Sequence, residues 1–348
     1  EDRRQGGGHR IGELAADPAR DDLHERAEGA RRLQERADEH AEADEQTDLA
    51  HDLAEAGRDG RDGVGGIGSH LVCGHHVAHE CLPLLKRYAP QARTVFDTVD
   101  LHYLRERRGA EVAGDAALLR AAERTRSSEL AVMEQCDITV LVSAAERERL
   151  QADAPRVRVE LISNLHEVAG AGAVYEQRHD LVFVGGFRHP PNLDGMEWFI
   201  GEIFAHIRAR LPEVRLHCIG AAAPESLLAL AARHPGVQMH GFVEDITPYM
   251  DGARIAIAPL RFGAGVKGKI NLSMAHGQPV VGTTCAVEGM HLHPGQDVLV
   301  ADDAAGFADA VVRLYQDPQL WQQLSDAGLA NVAEHFSLDA ARATVQRV

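Results

Sequence analysis

The sequence predicts an α/β protein of doubly wound parallel sheets, with one complete Rossmann-like domain and the latter part of a second. Three observations predict it. The stretch Asp137-Ile138-Thr139-Val140-Leu141-Val142-Ser143 is nearly all apolar, as a parallel strand buried on both faces is. After residue 180, short β-branched runs alternate with segments of helical period, the pattern of a doubly wound sheet. The 348 residues leave room for two such domains.

Along the chain, residues 1–60 hold 18 acidic residues against 9 Arg and no Lys, a net charge of −9. The side chains larger than Ala and apolar there are Ile11, Leu14, Leu23, Leu33, Leu49 and Leu53, and no aromatic residue precedes Tyr88. Such a segment buries too little surface to offset its ordering entropy, so 1–66 is expected to be disordered or solvated helix. Six glycines between Gly57 and Gly68 read as a linker, and residues 1–76 are set apart from the fold. A partial first domain is expected over 77–168, with strands at 93–97, 137–143 and 157–162 and a helix over 115–135; its opening strands are expected to be absent from the chain. Residues 169–348 read as a complete second domain. Its strands are placed at 181–184, 214–219, 237–240, 254–258 and 279–283, its helices at 192–210, 224–233, 266–276 and 304–315.

Composition excludes some functions. A net charge of −17 opposes sequence-blind binding to nucleic acid, whose phosphates it would repel. No apolar run approaches the ~18 residues of a membrane span. Five scattered cysteines make no disulfide framework and fit a reducing cytoplasm. His70, Cys73, His75, His76, His79 and Cys81 bring zinc-type donors close in sequence, but their spacing matches neither paired knuckles nor a His-Glu-x-x-His helix, so no metal is expected.

Chemistry in an open parallel sheet belongs in the loops after its strands. One such loop is Gly185-Gly186-Phe187-Arg188-His189-Pro190-Pro191-Asn192, where glycines allow close backbone approach, Arg188 offers a forked donor and Asn192 is placed as a helix cap. The spacing is not that of a dinucleotide fingerprint. The other is Phe262-Gly263-Ala264-Gly265-Val266-Lys267-Gly268-Lys269. The chain has three lysines, Lys86, Lys267 and Lys269, and two of them stand at the start of this helix. Cations there oppose the helix dipole by roughly 0.3–1 kcal/mol each, which makes sense where an anion occupies the site.

These blocks, with Val237-Gln238-Met239-His240-Gly241-Phe242-Val243, Met274-Ala275-His276-Gly277-Gln278-Pro279-Val280-Val281, Glu288-Gly289-Met290 and His335-Phe336-Ser337, resemble the donor-binding half of group 1 (family 4) glycosyltransferases of the GT-B fold. Asp97-Thr98-Val99-Asp100-Leu101-His102 and Val140–Glu146 are similar to the end of the family's acceptor domain. The resemblance implies a nucleoside-diphosphate sugar as donor substrate with no cofactor or metal, a glycan or lipid-linked acceptor, and transfer with retention of configuration. It further implies surface polysaccharide synthesis in the cytoplasm, with room for peripheral association at the inner face of the membrane. It places Gly186 and Arg188 at the diphosphate, Lys269 at phosphate or sugar, and Phe242 and Val243 at the base, while Gly185 and Lys267 are donor-site candidates from the composition of their loops. The backbone of Gly263, Ala264, Gly265 and Val266 would cradle the sugar and phosphate. The family's paired glutamates would fall at Ala264 and Leu272, and Leu272 cannot accept the ribose hydroxyls. The family's acceptor-side histidine aligns with Asp100, leaving His102, two residues on, as the catalytic candidate. Two alternatives stand beside the transferase: a GT-B sugar-nucleotide epimerase and a non-catalytic nucleotide-sugar-binding module.

Overall fold

A computed structural model describes residues 69–168 and 170–345; the acidic segment 1–66 and its expected disorder lie outside them. Residues 69–84, 91–168 and 170–345 belong to one compact unit, and Leu85–Pro90 at the end of the first helix fall in another.

The first sheet is parallel, in the order β1 (Ser69–Cys73), β2 (Arg93–Asp97), β3 (Ile138–Leu141) and β4 (Val159–Leu161). The fold therefore begins before the expected boundary at 77. β1 pairs with β2 along its whole length, although its sequence stands directly after the glycine run. Helix α1 (His75–Tyr88) follows it and carries Pro83 inside. β3 is buried at all four positions, as its continuous apolar run requires. Two helices, α2 (His102–Ala113) and α3 (Ala116–Met133), connect β2 to β3, and α4 (Ala144–Asp153) connects β3 to β4.

Two buried carboxylates shape the start of α2. Leu101 provides no side-chain cap. Instead Glu129 of α3 accepts the backbone N–H of His102 and of Tyr103, at 3.2 and 3.1 Å, and Glu146 of α4 accepts that of Leu101 at 3.0 Å. Negative charge at a helix N-terminus is favoured by the helix dipole, and otherwise orphaned donors are satisfied.

The second sheet is parallel in the order β10 (Leu299–Val300), β9 (Val280–Gly282), β8 (Ala253–Ala258), β5 (His179–Val184), β6 (Leu216–Ile219) and β7 (Val237–Gly241). The chain starts in the middle at β5, builds outward through β6 and β7, then returns to β8 on the other side. The strand order thus reverses between β5 and β8, and a ligand crevice is expected outside their carboxyl ends. Alternate residues of β5 pack into opposite cores: Leu181 and Phe183 join Phe199, Phe204 and Phe307, while Val182 joins Ile270, Met274 and Phe336.

The segment expected as one helix over 192–210 is three pieces. α5 (Pro190–Trp198) runs into a π-helical turn, Phe199–Ile203, and continues as α6 (Phe204–Arg210). Helices α7 (Glu225–Ala232), α8 (Thr247–Gly252), α9 (Gly268–Ala275), α10 (Thr284–Val287), α11 (Ala304–Gln316), α12 (Pro318–His335) and α13 (Leu338–Val345) complete the described domain. Fully buried Arg178 donates to the carbonyls of Ala173, Met250, Ala253 and His276. His276 directly follows α9, so this guanidinium ties the C-terminal end of that helix to the start of the sheet.

Candidate functional site

The two loops singled out in the sequence follow β5 and β8, the strands on either side of the reversal. They meet through Asn192. Its amide nitrogen donates to the Gly186 carbonyl at 2.8 Å, and its oxygen accepts from the Lys269 ammonium at 2.5 Å. Asn192 is therefore not the cap expected of it. Pro190 and Pro191 occupy the first positions of α5, as suits residues lacking an N–H, and His189 stands at the cap. A Cβ on Gly185 would lie 2.7 Å from the Asn192 nitrogen and 3.1 Å from the Lys269 side chain, so glycine is what fits beneath this bridge. Gly186 faces open space, and Arg188 is exposed beside it.

Lys269 sits one residue into α9, with its ammonium 5.1 Å from the centre of the Phe183 ring. Burial, then the charge of Lys267, lowers its pKa to about 8. Lys267 is 7% exposed and donates to its own loop at the Gly265 carbonyl, 2.7 Å away. Burial lowers its pKa too, against the raising pull of Cys285, Glu288 and Glu146. Among the described residues neither lysine has a carboxylate partner within ion-pair distance. Two cations held at a helix N-terminus without counter-ions form a site for an anion.

Leu272 is half-buried, stands three residues after Lys269 on the same face of α9, and belongs to neither apolar cluster. Phe242, 79% exposed, and half-buried Val243 follow β7 at the same edge of the sheet. Ala264 is half-buried, while Gly263, Gly265 and Val266 are buried.

The first domain and the segment that follows it reach this loop at Gly263, Gly265 and Val266. Arg108 donates to the Gly263 carbonyl at 2.8 Å and forms a two-pronged pair with Glu288 at 2.6 and 2.9 Å. Glu146 accepts the Gly265 N–H at 3.0 Å. The interdomain segment supplies Asn164, which donates to the Val266 carbonyl at 3.0 Å. Gly265 has φ +67°, and a Cβ there would lie 2.8 Å from the Asp100 Cβ.

His102 stands beside that contact. Its Nδ1 lies 3.1 Å from the Asp100 carbonyl, 3.2 Å from the Asp100 carboxylate and 3.5 Å from Glu129. Burial pulls its pKa down, but the Glu129 hydrogen bond and the Asp100 charge outweigh it, and the net shift is upward. Asp100 also pairs with Arg105. His189, exposed at the other side, has its pKa lowered to about 4 by partial burial and then by Arg105 and Lys269. It is neutral at pH 7.

Arg105, Arg108, Glu146, Asn164 and His189 are cleft residues the sequence reading missed. The one available signal was Ser143-x-x-Glu146, which reads as a helix capping pair. Half of that pair forms: the Glu146 N–H donates to Ser143 Oγ at 3.2 Å, while the Glu146 carboxylate turns to Leu101 and Gly265. Of the histidine-cysteine cluster, His75 meets His102 and Glu129 with ligand atoms within 4.8 Å of one another. Both Glu129 oxygens already accept backbone N–H groups of α2, which accounts for that carboxylate as a helix cap.

Residues 178–317 match the family model of the glycosyl transferases group 1. The match covers less than half of the chain, and over this stretch the chain is similar to that family. A protein of 44.6 kDa from the cps region of Klebsiella pneumoniae is 24% identical over 164 residues, which are 45% of this chain and 42% of that protein. The chain thus spans less than half the length of that relative. Sucrose-phosphate synthase of Thermosynechococcus elongatus superposes with TM-score 0.67 at 17% identity, over 80% of this chain and 72% of that one. TarM of S. aureus, solved with fondaparinux, alpha-GlcNAc-glycerol and UDP, superposes with TM-score 0.63 at 10% identity, over 77% of this chain and 53% of that one. The pneumococcal O-GlcNAc transferase GtfA, solved with UDP and GlcNAc, gives 0.58 at 14%, over 80% and 56%. The two parallel-sheet domains are the GT-B fold.

Proposed function

We propose that this chain takes a sugar from a nucleoside-diphosphate sugar and transfers it to a glycan or lipid-linked acceptor with retention of configuration. The observation that carries the reading is Lys269: an ammonium without a counter-ion, oriented by Asn192, at a helix N-terminus beside the strand-order reversal. Breaking the glycosidic bond leaves negative charge on the diphosphate. Fixed cations at Lys269, Lys267 and Arg188, with the first N–H groups of α9, would stabilise that charge as it forms. His102, kept protonated more readily by Glu129 and Asp100, would donate a hydrogen bond to the donor sugar from the opposite wall. UDP in the solved TarM and GtfA complexes supports a uridine nucleotide as the first to test.

A groove of about 700 Å³ between α2 and α3 of the first domain and Pro190, Pro191 and Phe262 of the second supports an acceptor site. Arg105, which pairs with Asp100, is among the residues that line it. The cps-region relative supports a role in surface polysaccharide synthesis. No helix among the described residues is long and apolar enough to cross a membrane, and work at the cytoplasmic face, with peripheral membrane contact, is part of the proposal. One residue favours a second reading: Leu272, where the ribose acceptor would stand, suits a module that binds nucleotide sugar without transferring it.

The experiment is a panel of UDP-, GDP- and dTDP-sugars with oligosaccharide and lipid-linked acceptors, the product anomer being read by NMR. A product of retained configuration supports the proposal. An inverted anomer overturns retention, and nucleotide-sugar binding without sugar release favours the second reading.

A further inference from the structure

We propose that Glu146 is a positioning residue: from the first domain, its carboxylate holds the Gly263–Val266 loop of the second in the shape that receives the donor. The inference rests on the reading that this loop cradles the donor sugar. Glu146 is 4% exposed. One of its oxygens accepts both the Leu101 N–H and the Gly265 N–H, each at 3.0 Å, and so joins the turn after β2 to the turn after β8. The other oxygen is buried with no hydrogen-bond partner. A carboxylate is an expensive group to bury with a lone pair set unused, and a cap or an apolar residue would suit mere packing better.

What the carboxylate does achieve is specific to the loop. Gly265 takes a left-handed φ that closes a tight turn, and its peptide groups are held on both sides. Glu146 takes its N–H, and Lys267 donates to its carbonyl. A loop left to itself would have to order these groups when the donor binds, at the cost of affinity. Glu146 meets that ordering requirement in advance, provided the two domains are together. The charged groups facing it are Asp100 of the first domain, Lys267 of the second, and Arg108, whose guanidinium spans to Gly263.

The test uses the full chain with Glu146→Leu, which fills the same space without an acceptor, and Glu146→Gln, which keeps an acceptor oxygen without charge. Glu146→Asp, one methylene short of Gly265, replaces the Leu variant if that one does not fold. UDP affinity by calorimetry and amide exchange of residues 263–266 are read on each. The expected result is a five- to tenfold weaker UDP affinity and faster loop exchange for Leu or Asp, with Gln within about threefold of the parent on both. A folded Leu variant that matches the parent in both readouts overturns the proposal, as does a Gln variant as impaired as Leu. Should the parent bind neither UDP nor GDP, the donor reading fails and the donor role of Glu146 with it. The exchange data then still separate a loop held by Glu146 from one that is not.

Discussion

Lys269 and Asn192 meet at 2.5 Å across the line where the second sheet reverses its strand order. The contact fixes the amine at one point while leaving its charge without a partner of opposite sign. A neutral amide can orient an ammonium but cannot neutralise it. The charge therefore remains available to a ligand, and the lowered pKa shows what it costs the free protein to keep it there.

That cost gives a pH dependence. An anion bound at Lys269 stabilises the charged amine and raises its pKa above the free value of about 8. Below that value the amine is already protonated and affinity is flat. As pH rises through it, binding must recover a proton and UDP affinity should fall. Calorimetry between about pH 7 and about pH 9 checks this, and Lys269→Met should abolish the slope.

Leu272→Glu should place a carboxylate on the Lys269 face of α9, able to accept the ribose hydroxyls. Charge-assisted hydrogen bonds of ~1.5–3 kcal/mol correspond to a gain in nucleotide affinity of about tenfold or more. Leu272 is half-buried and outside both apolar clusters, so the melting temperature should change little. A large loss of stability without a gain in affinity would show that this face of α9 does not meet the nucleotide.

Glu146 links stability to pH in the opposite sense from an ion-paired carboxylate. Burial raises its pKa from 4.5 to about 7, with Asp100 adding to the rise and the Leu101 and Gly265 N–H groups and Lys267 opposing it. The folded state holds a proton that the unfolded chain releases near the ordinary value. The contribution is therefore full below about pH 4.5 and is lost as pH rises through about 7. Glu146→Gln cannot ionise, so its melting temperature relative to the parent should climb between about pH 5 and about pH 8. A constant difference across that range would contradict the assignment.

Gly265→Ala combines backbone strain at φ +67° with a contact of 2.8 Å to the Asp100 Cβ. A left-handed conformation costs a non-glycine residue roughly 1–2 kcal/mol before the clash is counted. We expect a lower melting temperature and weaker UDP binding together. Ala at Gly186, where an added Cβ meets open space, should leave stability within ~0.5 kcal/mol of the parent.

The fold was legible wherever apolar residues recur at the period of a buried element. β3, β5 and β8 are recovered that way, because each is buried almost throughout. α2 is not, since it buries Tyr103, Leu104 and Ala110 beneath a shell of arginine and glutamate too polar to show a stripe. β1 escapes notice because its neighbours in sequence are glycines and its support comes from β2, more than twenty residues away. The same limit applies to the site. Gly185, Lys267 and Lys269 declare themselves by local composition. Arg108, Glu146 and Asn164 act on loop residues 155, 119 and 102 positions away; nothing in the surroundings of Arg108 or Asn164 marks them, and the capping pattern at Glu146 points to its own helix instead of that loop. Asn192 was visible but misread, because the two prolines before it move the helix start back to His189.

The pocket around Lys269 is expected to bind the diphosphate of a nucleotide. Titration of UDP into the parent and Lys269→Met, in the full chain at about pH 7, tests it most directly. Loss of one charge-assisted contact predicts an affinity at least about tenfold weaker in the variant, with its melting temperature no lower, because a buried cation has been replaced by an apolar chain. Equal affinity in the two proteins would contradict the claim.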